Sequence, residues 1–432
     1  EYTAKRKKRN RKVFDDSLER EVVVHDINES DKVCECCHGD MHLMGKDITE
    51  KLEFVPATTK VIEHHRLKYA CRACQKSGTT TPIKQAPPVP SILPKSYATP
   101  SLIAQIITSK YQYGLPLYRQ EAIFKQLGIH LSRQTMSDWL INIAALFKPI
   151  TYAPWHDTLL RQNYIRADET TMTVVDDDNI KSYMWVYNCG ADSPQGNICG
   201  DDTPNIVLYD YQPSRAGQCA VDFLRDYTGY LSVDGYQGYG KTQAILVACL
   251  AHIRRKFVEA KKAQGKQAKI GKADWALNLI QKLYRIEKEI KAQSVEERCR
   301  IRQEKAVPLL TQFKTWLEKS SLAVLPESAI GRAIHYAINQ WNKFIRYTEN
   351  GCIDIDNNRS ERAIKPFVIG RKNWLISQTA NGANTSAVLY SIIETAKANG
   401  IKPYDYLMHV MEKMMLGQAK PNELLPWKVN LG

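Results

Sequence analysis

Residues 353–364 read IDIDNNRSERAI and residues 370–374 read GRKNW, which places one carboxylate, Glu361, among basic and helix-starting residues. Two more acids stand far upstream in strand-like contexts. Asp168 lies in the alternating run NYIRADETTMTVV, and Asp234 follows the strand-like run GYLSV. Hard divalent cations take oxygen ligands, and two strand-borne aspartates with one helix-borne glutamate can bridge and flank two such ions. The pattern therefore predicts a two-metal site.

Each of these acids also has an ordinary structural interpretation. Asp168 fits a solvated strand residue, and Asp234 fits the opening of a turn. Glu361 stands three positions after Asn358, which is the spacing of a capping box at a helix start. Three carboxylates buried together without a cation would be costly, because like charges at short range cannot all ionise. Two neighbouring acids would replace Glu361 only if the helix began earlier: Asp354 and Asp356.

Basic residues crowd the third acid and recur elsewhere. They fit either solvated helix faces or a clamp that holds DNA phosphates by charge and hydrogen bonds. The sequence AHIRRKF also carries His252, three residues after Cys249. That pair could begin a zinc site, but without a second pair we favour a His252 whose hydrogen bonds are satisfied near the acids. The predicted DNA-binding residues are Arg133, Arg254, Arg255, Arg359, Arg362, Arg371 and Lys372.

The overall charge favours a polyanionic partner. The 432 residues carry a formal net charge of +14, and seven of the eight residues from Lys5 to Lys12 are Lys or Arg. Such clusters bind nucleic acid by releasing condensed counterions, although a merely basic surface remains the alternative. No apolar run approaches the length that spans a bilayer. We therefore expect a cytosolic protein with no membrane partner.

Two cysteine pairs predict a structural zinc site. Cys34 and Cys37 form one knuckle, Cys71 and Cys74 form the other, and 33 residues separate them. Thiolates at this spacing suit tetrahedral Zn²⁺, and a reducing compartment disfavours disulfides. Other side chains compete for the same ligand positions: Cys36, His38, His42, His64 and His65.

The chain divides by composition and periodicity into several regions. Two strand-like runs, Asp47 to Val55 and Thr59 to Ala70, accompany the cysteines. The predicted regions are a basic flexible tail (1–20), a zinc-binding domain (21–82), a Pro-rich linker (83–100), a helical DNA-binding region (101–150), the first part of an α/β core (151–251), a helical insertion (252–347), the second part of the core (348–400) and a C-terminal helical segment (401–432).

The helical region fits a helix-turn-helix. Helices are predicted at Ser101 to Tyr111, Leu117 to Leu127 and Arg133 to Leu146, and Ser132 is placed to cap the third. An ordinary helical hairpin is the alternative. Beyond residue 163 the pattern changes to strands with one helix between them, which suits a mixed sheet flanked by helices. The predicted strands are Tyr164 to Val175, Ser182 to Cys189, Asn205 to Tyr211, Gly229 to Val233 and Ile245 to Cys249, with the helix at Ala216 to Tyr227.

Several of these motifs together resemble the DDE transposases of the insertion sequence 66 family. The motifs are ADET, VDGYQGY, AHIRRKF, DNNRSERAIKPFVIGRKNWL and YSIIETAKANGIKPYDYL, and the likeness runs from about Cys34 to Trp427. Many members of that family read Ala-Asp-Asp-Thr where this chain has Glu169. Because neighbouring strand residues face opposite sides of a sheet, we expect Glu169 to point away from Asp168 and to leave ligation undisturbed.

The resemblance implies a ribonuclease H-like core with a zinc-binding domain before it. It further implies catalysis by Asp168, Asp234 and Glu361 with two Mg²⁺ or Mn²⁺ ions. Other DDE enzymes have a similar Cys-His pair, which implies that His252 is an auxiliary residue that helps to position DNA or water. The implied partners are double-stranded DNA at element ends and targets, further copies of the chain on that DNA, and possible accessory proteins of the element. The family carries a helical segment upstream, so we expect a chain that begins at Glu1 to be a fragment. A metal-dependent nuclease or resolvase on the same fold, and an inactive DNA-binding regulator, are the alternatives.

Overall fold

A computed structural model describes residues 20–28, 32, 36, 38–49, 51, 58–78, 80, 83–177, 181–196, 199, 203–263, 271–429 and 431. The predicted basic cluster before residue 20 lies outside these residues, as do Cys34 and Cys37. The chain forms two compact units, Glu1–Ile62 and Glu63–Gly432. The described residues of the first unit form no helix or extended strand, and Asp26 and Lys32 form an ion pair of 2.7 Å there.

The second unit opens with a small hairpin around a short helix. Strands β1 (Lys68–Ala70) and β2 (Ile83–Gln85) pair antiparallel, and helix α1 (Arg72–Lys76) lies between them in the chain. The long predicted strand ending at Ala70 is thus wrong except for its last three residues. Its partner lies in the stretch predicted to be a linker. Every residue of both strands is exposed, so no burial favours a longer extended pairing.

Four helices follow, of which the first three agree with the predicted helices and the fourth was not predicted. Thr99 caps the first, and Ser132 caps the third by accepting a hydrogen bond from the Thr135 amide, as predicted. The third helix buries Met136, Trp139 and Leu140 and leaves the polar residues of its first turn exposed. The bounds are α2 Pro100–Ile107, continued by a π-turn at Thr108–Gln112, α3 Leu117–Gln126, α4 Arg133–Phe147 and α5 Tyr152–Leu160.

A five-stranded mixed sheet forms the centre of this unit. Its spatial order is β5-β4-β3-β6-β7; the first three strands run antiparallel and the last two run parallel to β3. The mixed α/β class predicted from the sequence is confirmed. Strand positions agree with the prediction to within three residues at each end. The bounds are β3 Tyr164–Met172, β4 Ser182–Cys189, β5 Ile206–Gln212, β6 Tyr230–Val233 and β7 Ile245–Ala248.

Helices cover the sheet, and further helices form a second apolar core beside one of its edges. Helices α12 and α13 pack on β3, β4 and β5, whereas α7 and α11 pack together beside β7 and begin a second apolar core. None of the helices in the described part of the chain combines the length and apolar character needed to cross a membrane. The bounds are α6 Gly217–Leu224, α7 Leu250–Ala263, α8 Lys272–Glu289, α9 Val295–Ile301, α10 Val307–Ser321, α11 Ala329–Phe344, α12 Asn358–Trp374, α13 Ala380–Ala398 and α14 Pro403–Met415.

Candidate active site

The pairing of β3 with β6 places two of the predicted acids side by side. These strands are parallel, and Arg166 and Ser232 form the last residue pair of their register. Continuing that register by two residues sets Asp168 opposite Asp234, just beyond the end of β6. The spacing of 66 residues between the two aspartates equals the register offset of the two strands. Both carboxylates therefore lie at the same level of the sheet.

Hydrogen bonds fix the start of α12 against the same strand. The side-chain amide of Asn357 donates to the Ala167 carbonyl oxygen at 2.8 Å, one residue before Asp168. The backbone amide of Asn357 donates a hydrogen bond to Cys249 Sγ at 3.1 Å, which connects the start of the helix to the end of β7. Glu361 follows in the first turn of the helix. The three acids thus come from β3, the end of β6 and α12, and hydrogen bonds join both β6 and the start of α12 to β3.

The predicted capping box at this helix is wrong. The residue that precedes α12 is Asn357 rather than Asn358, and its side chain makes no capping hydrogen bond. Its amide group is used instead to hold strand β3. The helix begins at Asn358, so Asp354 and Asp356 lie before it; Asp354 forms a 2.6 Å ion pair with Arg166. Neither alternative acid replaces Glu361.

The charges of the neighbouring acids act on Asp168. Burial raises the pKa of Asp168 to about 7, and the charges of Glu169, Asp234 and Glu361 add to that rise. Such a carboxylate is stabilised in its charged form by a nearby cation. In the part of the chain that is described, no three His, Cys, Asp or Glu side chains already converge on one point as ligands. Oxygen donors alone fit Mg²⁺ or Mn²⁺, which the three acids could hold after side-chain rotation.

Two side chains of α7 face Glu361. Nε2 of His252 lies 3.8 Å from Glu361 Oε1, and Nη2 of Arg255 lies 3.5 Å from the same oxygen. Burial, followed by the charge of Arg255, lowers the pKa of His252, so the imidazole is neutral near pH 7. Cys249, the cysteine three residues before His252, is buried. Its Sγ accepts a hydrogen bond from the backbone amide of Asn357 and so holds the start of α12. His252 therefore lies beside the acids, where the sequence predicted an auxiliary residue.

The predicted basic residues occupy different environments. Arg359 is only 5% exposed, and its guanidinium donates to Asn188, Ala191 and Asp192. These bonds use its donors inside the protein, which argues against a DNA contact for Arg359. Local sequence patterns do not predict this burial, because the acceptors lie at the end of β4 and just after it, far from Arg359 in the chain. The remaining predicted cations are Arg133, Arg254, Arg255, Arg362 and Lys372, which are exposed, and Arg371, which is half-buried and donates to Thr170 and Thr171.

Sequence reasoning missed a second group of site residues. Glu169 follows Asp168 on β3, and its carboxylate contacts two side chains from other parts of the chain. It forms an ion pair with Arg215, whose Nη2 lies 3.9 Å from Asp234 Oδ2. Tyr239 donates a hydrogen bond of 2.6 Å to Glu169. The dense YQGYG run after Asp234 was the one available signal that this segment builds part of the site.

Of the predicted zinc ligands, the structure describes the second pair. Cys71 precedes α1 and Cys74 lies within it. Hydrogen bonds from the backbone and side chain of Cys74 lower the pKa of the Cys71 thiol, which favours the thiolate that zinc needs. The ligand assignment stays a prediction.

Three segments of the chain match known families. Residues 95–385 match the family described as "Transposase IS66 family", residues 31–75 match the "zinc-finger binding domain of transposase IS66", and residues 391–427 match the "IS66 C-terminal element". The uncharacterized protein y4jD of Sinorhizobium fredii is 33% identical over 418 residues, which cover 93% of this chain and 79% of that protein. The uncharacterized protein y4qI of the same organism is 32% identical over 444 residues, covering 98% of this chain and 78% of that protein.

Proposed function

The chain belongs to the IS66 family of transposases, and from that premise we propose that it binds insertion-element ends and catalyses DNA strand cleavage and strand transfer. The observation that carries this proposal is the placement of the three acids. Asp168 and Asp234 stand level on neighbouring parallel strands, and α12 brings Glu361 to them through Asn357. The strand order, with three antiparallel strands followed by two parallel ones, supports a ribonuclease H-like core.

In the proposed reaction a water oxygen attacks the scissile phosphorus, and the bond to the 3′ oxygen of the element end breaks. The freed 3′-hydroxyl then attacks a phosphodiester of the target, and a target 3′ oxygen leaves. When bound, two Mg²⁺ or Mn²⁺ ions would supply Lewis acidity to the attacking and leaving oxygens. Asp168, Asp234 and Glu361 hold the cations, and neutral His252 helps to position DNA or water beside Glu361.

Exposed cations around the acids would hold the DNA backbone. Arg255 lies 3.5 Å from Glu361, and Arg371 lies beside the strand that carries Asp168. Arg362 follows Glu361 on α12, where its exposed side chain pairs with Asp192. Lys and Arg at such positions bind phosphate without reading sequence. Arg133 begins α4, the second helix of the proposed helix-turn-helix, and is placed to contact a DNA groove.

We further propose that the zinc domain is held by Cys34, Cys37, Cys71 and Cys74, and that several copies of the chain act together on two element ends and a target. Accessory proteins of the element are possible partners. A transposase acts where its DNA lies, so we place its action in the bacterial cytoplasm.

The direct test uses purified protein, a labelled duplex with the terminal sequence of its own element, a plasmid target and Mg²⁺. We expect a new 3′-hydroxyl at the element end, followed by joining of that end to the plasmid. Cutting without any joining would favour the nuclease or resolvase alternative. Binding without cutting would favour the inactive regulator.

DNA affinity should also depend steeply on salt, because the basic clusters release counterions on binding. Deleting residues 1–12 should flatten the plot of log affinity against log salt by about 0.9 for each phosphate that this segment neutralises. Affinity measured by fluorescence anisotropy over a salt series checks this. An unchanged slope would show that the segment does not touch DNA.

A further inference from the structure

Glu169 is a buried acid that the proposed triad does not use. Its side chain is 2% exposed, and a buried carboxylate is tolerated only when it is paired and hydrogen-bonded. Nε of Arg215 donates to Glu169 Oε1 at 2.8 Å, the second nitrogen Nη2 donates to the same oxygen, and Tyr239 donates to Oε2. Both carboxylate oxygens of Glu169 are therefore engaged, one by Arg215 and the other by Tyr239.

Arg215 is in turn fixed but not enclosed. Its guanidinium lies over the ring of Tyr236, 4.0 Å from the ring centroid, and the Tyr236 hydroxyl donates to the Arg215 carbonyl oxygen. Yet the side chain is 41% exposed, and it lies 3.9 Å from Asp234, beyond hydrogen-bond distance. Among the described residues, Nη1 of Arg215 has no hydrogen-bond acceptor. The guanidinium of Arg215 thus keeps Nη1 available as a donor beside Asp234.

Glycines shape the segment that carries this arrangement. A Cβ at Gly238 would come within 2.2 Å of the Tyr236 ring, and a Cβ at Gly217 would come within 2.5 Å of the Gly238 carbonyl oxygen. Both positions therefore need glycine for close approach. The consequence is that Tyr236 folds back under Arg215 while α6 begins against the same turn.

We propose that Arg215 binds a non-bridging oxygen of the scissile phosphate and that Glu169 is its positioning residue rather than a metal ligand. This inference rests on the proposed function. A guanidinium presents its donors in a rigid fork that matches phosphate oxygens, and orientation by a buried carboxylate fixes that fork before the DNA arrives. Arg215 then compensates charge on the transferring phosphate next to Asp234. This role keeps the expectation that Glu169 leaves metal ligation undisturbed and adds a positioning function for its carboxylate.

Two other roles make different predictions. If Glu169 were a metal ligand, its loss would weaken Mg²⁺ binding. If Arg215 only neutralised Asp234 before the cations arrive, its removal would not slow the chemical step. The proposed role requires instead that both residues act through the contact of Arg215 with the phosphate. The losses of activity caused by replacing Arg215 and Glu169 are therefore not additive.

The kinetic test compares wild type, Arg215→Ala, Arg215→Lys, Glu169→Gln and the double variant Arg215→Ala with Glu169→Gln on the element-end duplex. We expect Arg215→Ala to lower kcat about 100-fold, as loss of one preorganised donor does, and Glu169→Gln to lower it about 10-fold. The double variant should match Arg215→Ala, and half-maximal Mg²⁺ should change less than about twofold. Arg215→Lys keeps the charge but loses the fork, so it should restore activity only in part.

Additive losses in an active protein, or a Mg²⁺ requirement raised about tenfold or more by Glu169→Gln, would overturn the inference while leaving the proposed function intact. Thermal unfolding checks that each variant folds; if Glu169→Gln does not, the two Arg215 variants carry the test.

A second measurement needs no catalysis. Binding to a random-sequence duplex in Ca²⁺ is followed over a salt series for wild type, Arg215→Ala and Arg161→Ala. Arg161 is an exposed arginine three residues before the start of β3 and serves as the matched control. We expect Arg215→Ala to reduce the salt slope by about 0.9 and Arg161→Ala to leave it unchanged. An unchanged salt slope for Arg215→Ala, or equal changes of slope for Arg215→Ala and Arg161→Ala, would overturn the inference. This binding test does not depend on catalysis. A wild-type protein that neither cuts nor joins DNA would refute the proposed function separately.

Discussion

Replacing any one of the three acids should abolish chemistry on DNA without abolishing DNA binding. We expect Asp168→Asn, Asp234→Asn and Glu361→Gln each to lower strand cleavage and transfer by about 1,000-fold or more. The amides keep the shape of the side chains but remove the charge that holds divalent cations. Activity should require Mg²⁺ or Mn²⁺ and fail with Ca²⁺, which prefers longer and looser coordination than Mg²⁺. Gel assays of cleavage, joining and end binding measure all three properties.

The matched control is Asp356→Asn. Asp356 lies close to the same helix start in the chain, but it accepts hydrogen bonds from Asn358, so activity should stay within a few-fold of wild type. An essential Asp356 with a dispensable Glu361 would show that the third acid is misassigned. If all four substitutions were silent, the protein would not be a metal-dependent enzyme of this kind.

Removing zinc should unfold the N-terminal cysteine-rich domain. The described hairpin of β1 and β2 is exposed at every residue and has no core of its own. For such a unit the metal-binding free energy, about 10–16 kcal/mol for small zinc domains, is the folding free energy. We expect about one zinc per chain in wild type and little or none in Cys71→Ser, with loss of local structure on chelation. Metal analysis and limited proteolysis report the two properties.

Cys36→Ser is the matched control for that experiment. Cys36 is exposed and competes with Cys37 for the first knuckle. Full zinc content in Cys36→Ser supports Cys37 as the ligand, whereas loss of zinc would transfer that role to Cys36. A fully stable wild-type protein that contains no zinc would contradict the metal-dependent domain altogether.

Local sequence patterns predicted the central sheet well because alternation and turn residues determine short strands directly. They also placed Asp168 within a strand and Asp234 at the end of another, whereas the matching level of the two aspartates follows from the register of β3 and β6, which only the structure shows. The errors concern side chains whose partners are distant in the chain. The capping box expected at Asn358 does not form, and the preceding Asn357 binds Ala167 instead of capping the helix. Arg359 is not a surface cation because it donates to Asn188 and pairs with Asp192.

The missed contact of Glu169 with Arg215 has the same cause. The two residues are far apart in the chain, and each taken alone has the appearance of an ordinary polar residue. Only the close approach of α6 to the turn after Asp234 brings them together. Patterns within one element therefore predicted where the site lies, whereas contacts between elements determine which neighbours control it.

The most direct test of the central claim is a count of Mn²⁺ ions bound to the complex of protein and element-end duplex, followed by electron paramagnetic resonance. The three acids should hold about two ions per chain in wild type. Asp168→Asn and Glu361→Gln should each lose at least one of them, while Asp356→Asn should keep both. If Asp168→Asn and Glu361→Gln bound Mn²⁺ with the stoichiometry and affinity of wild type, Asp168, Asp234 and Glu361 would not form the metal site.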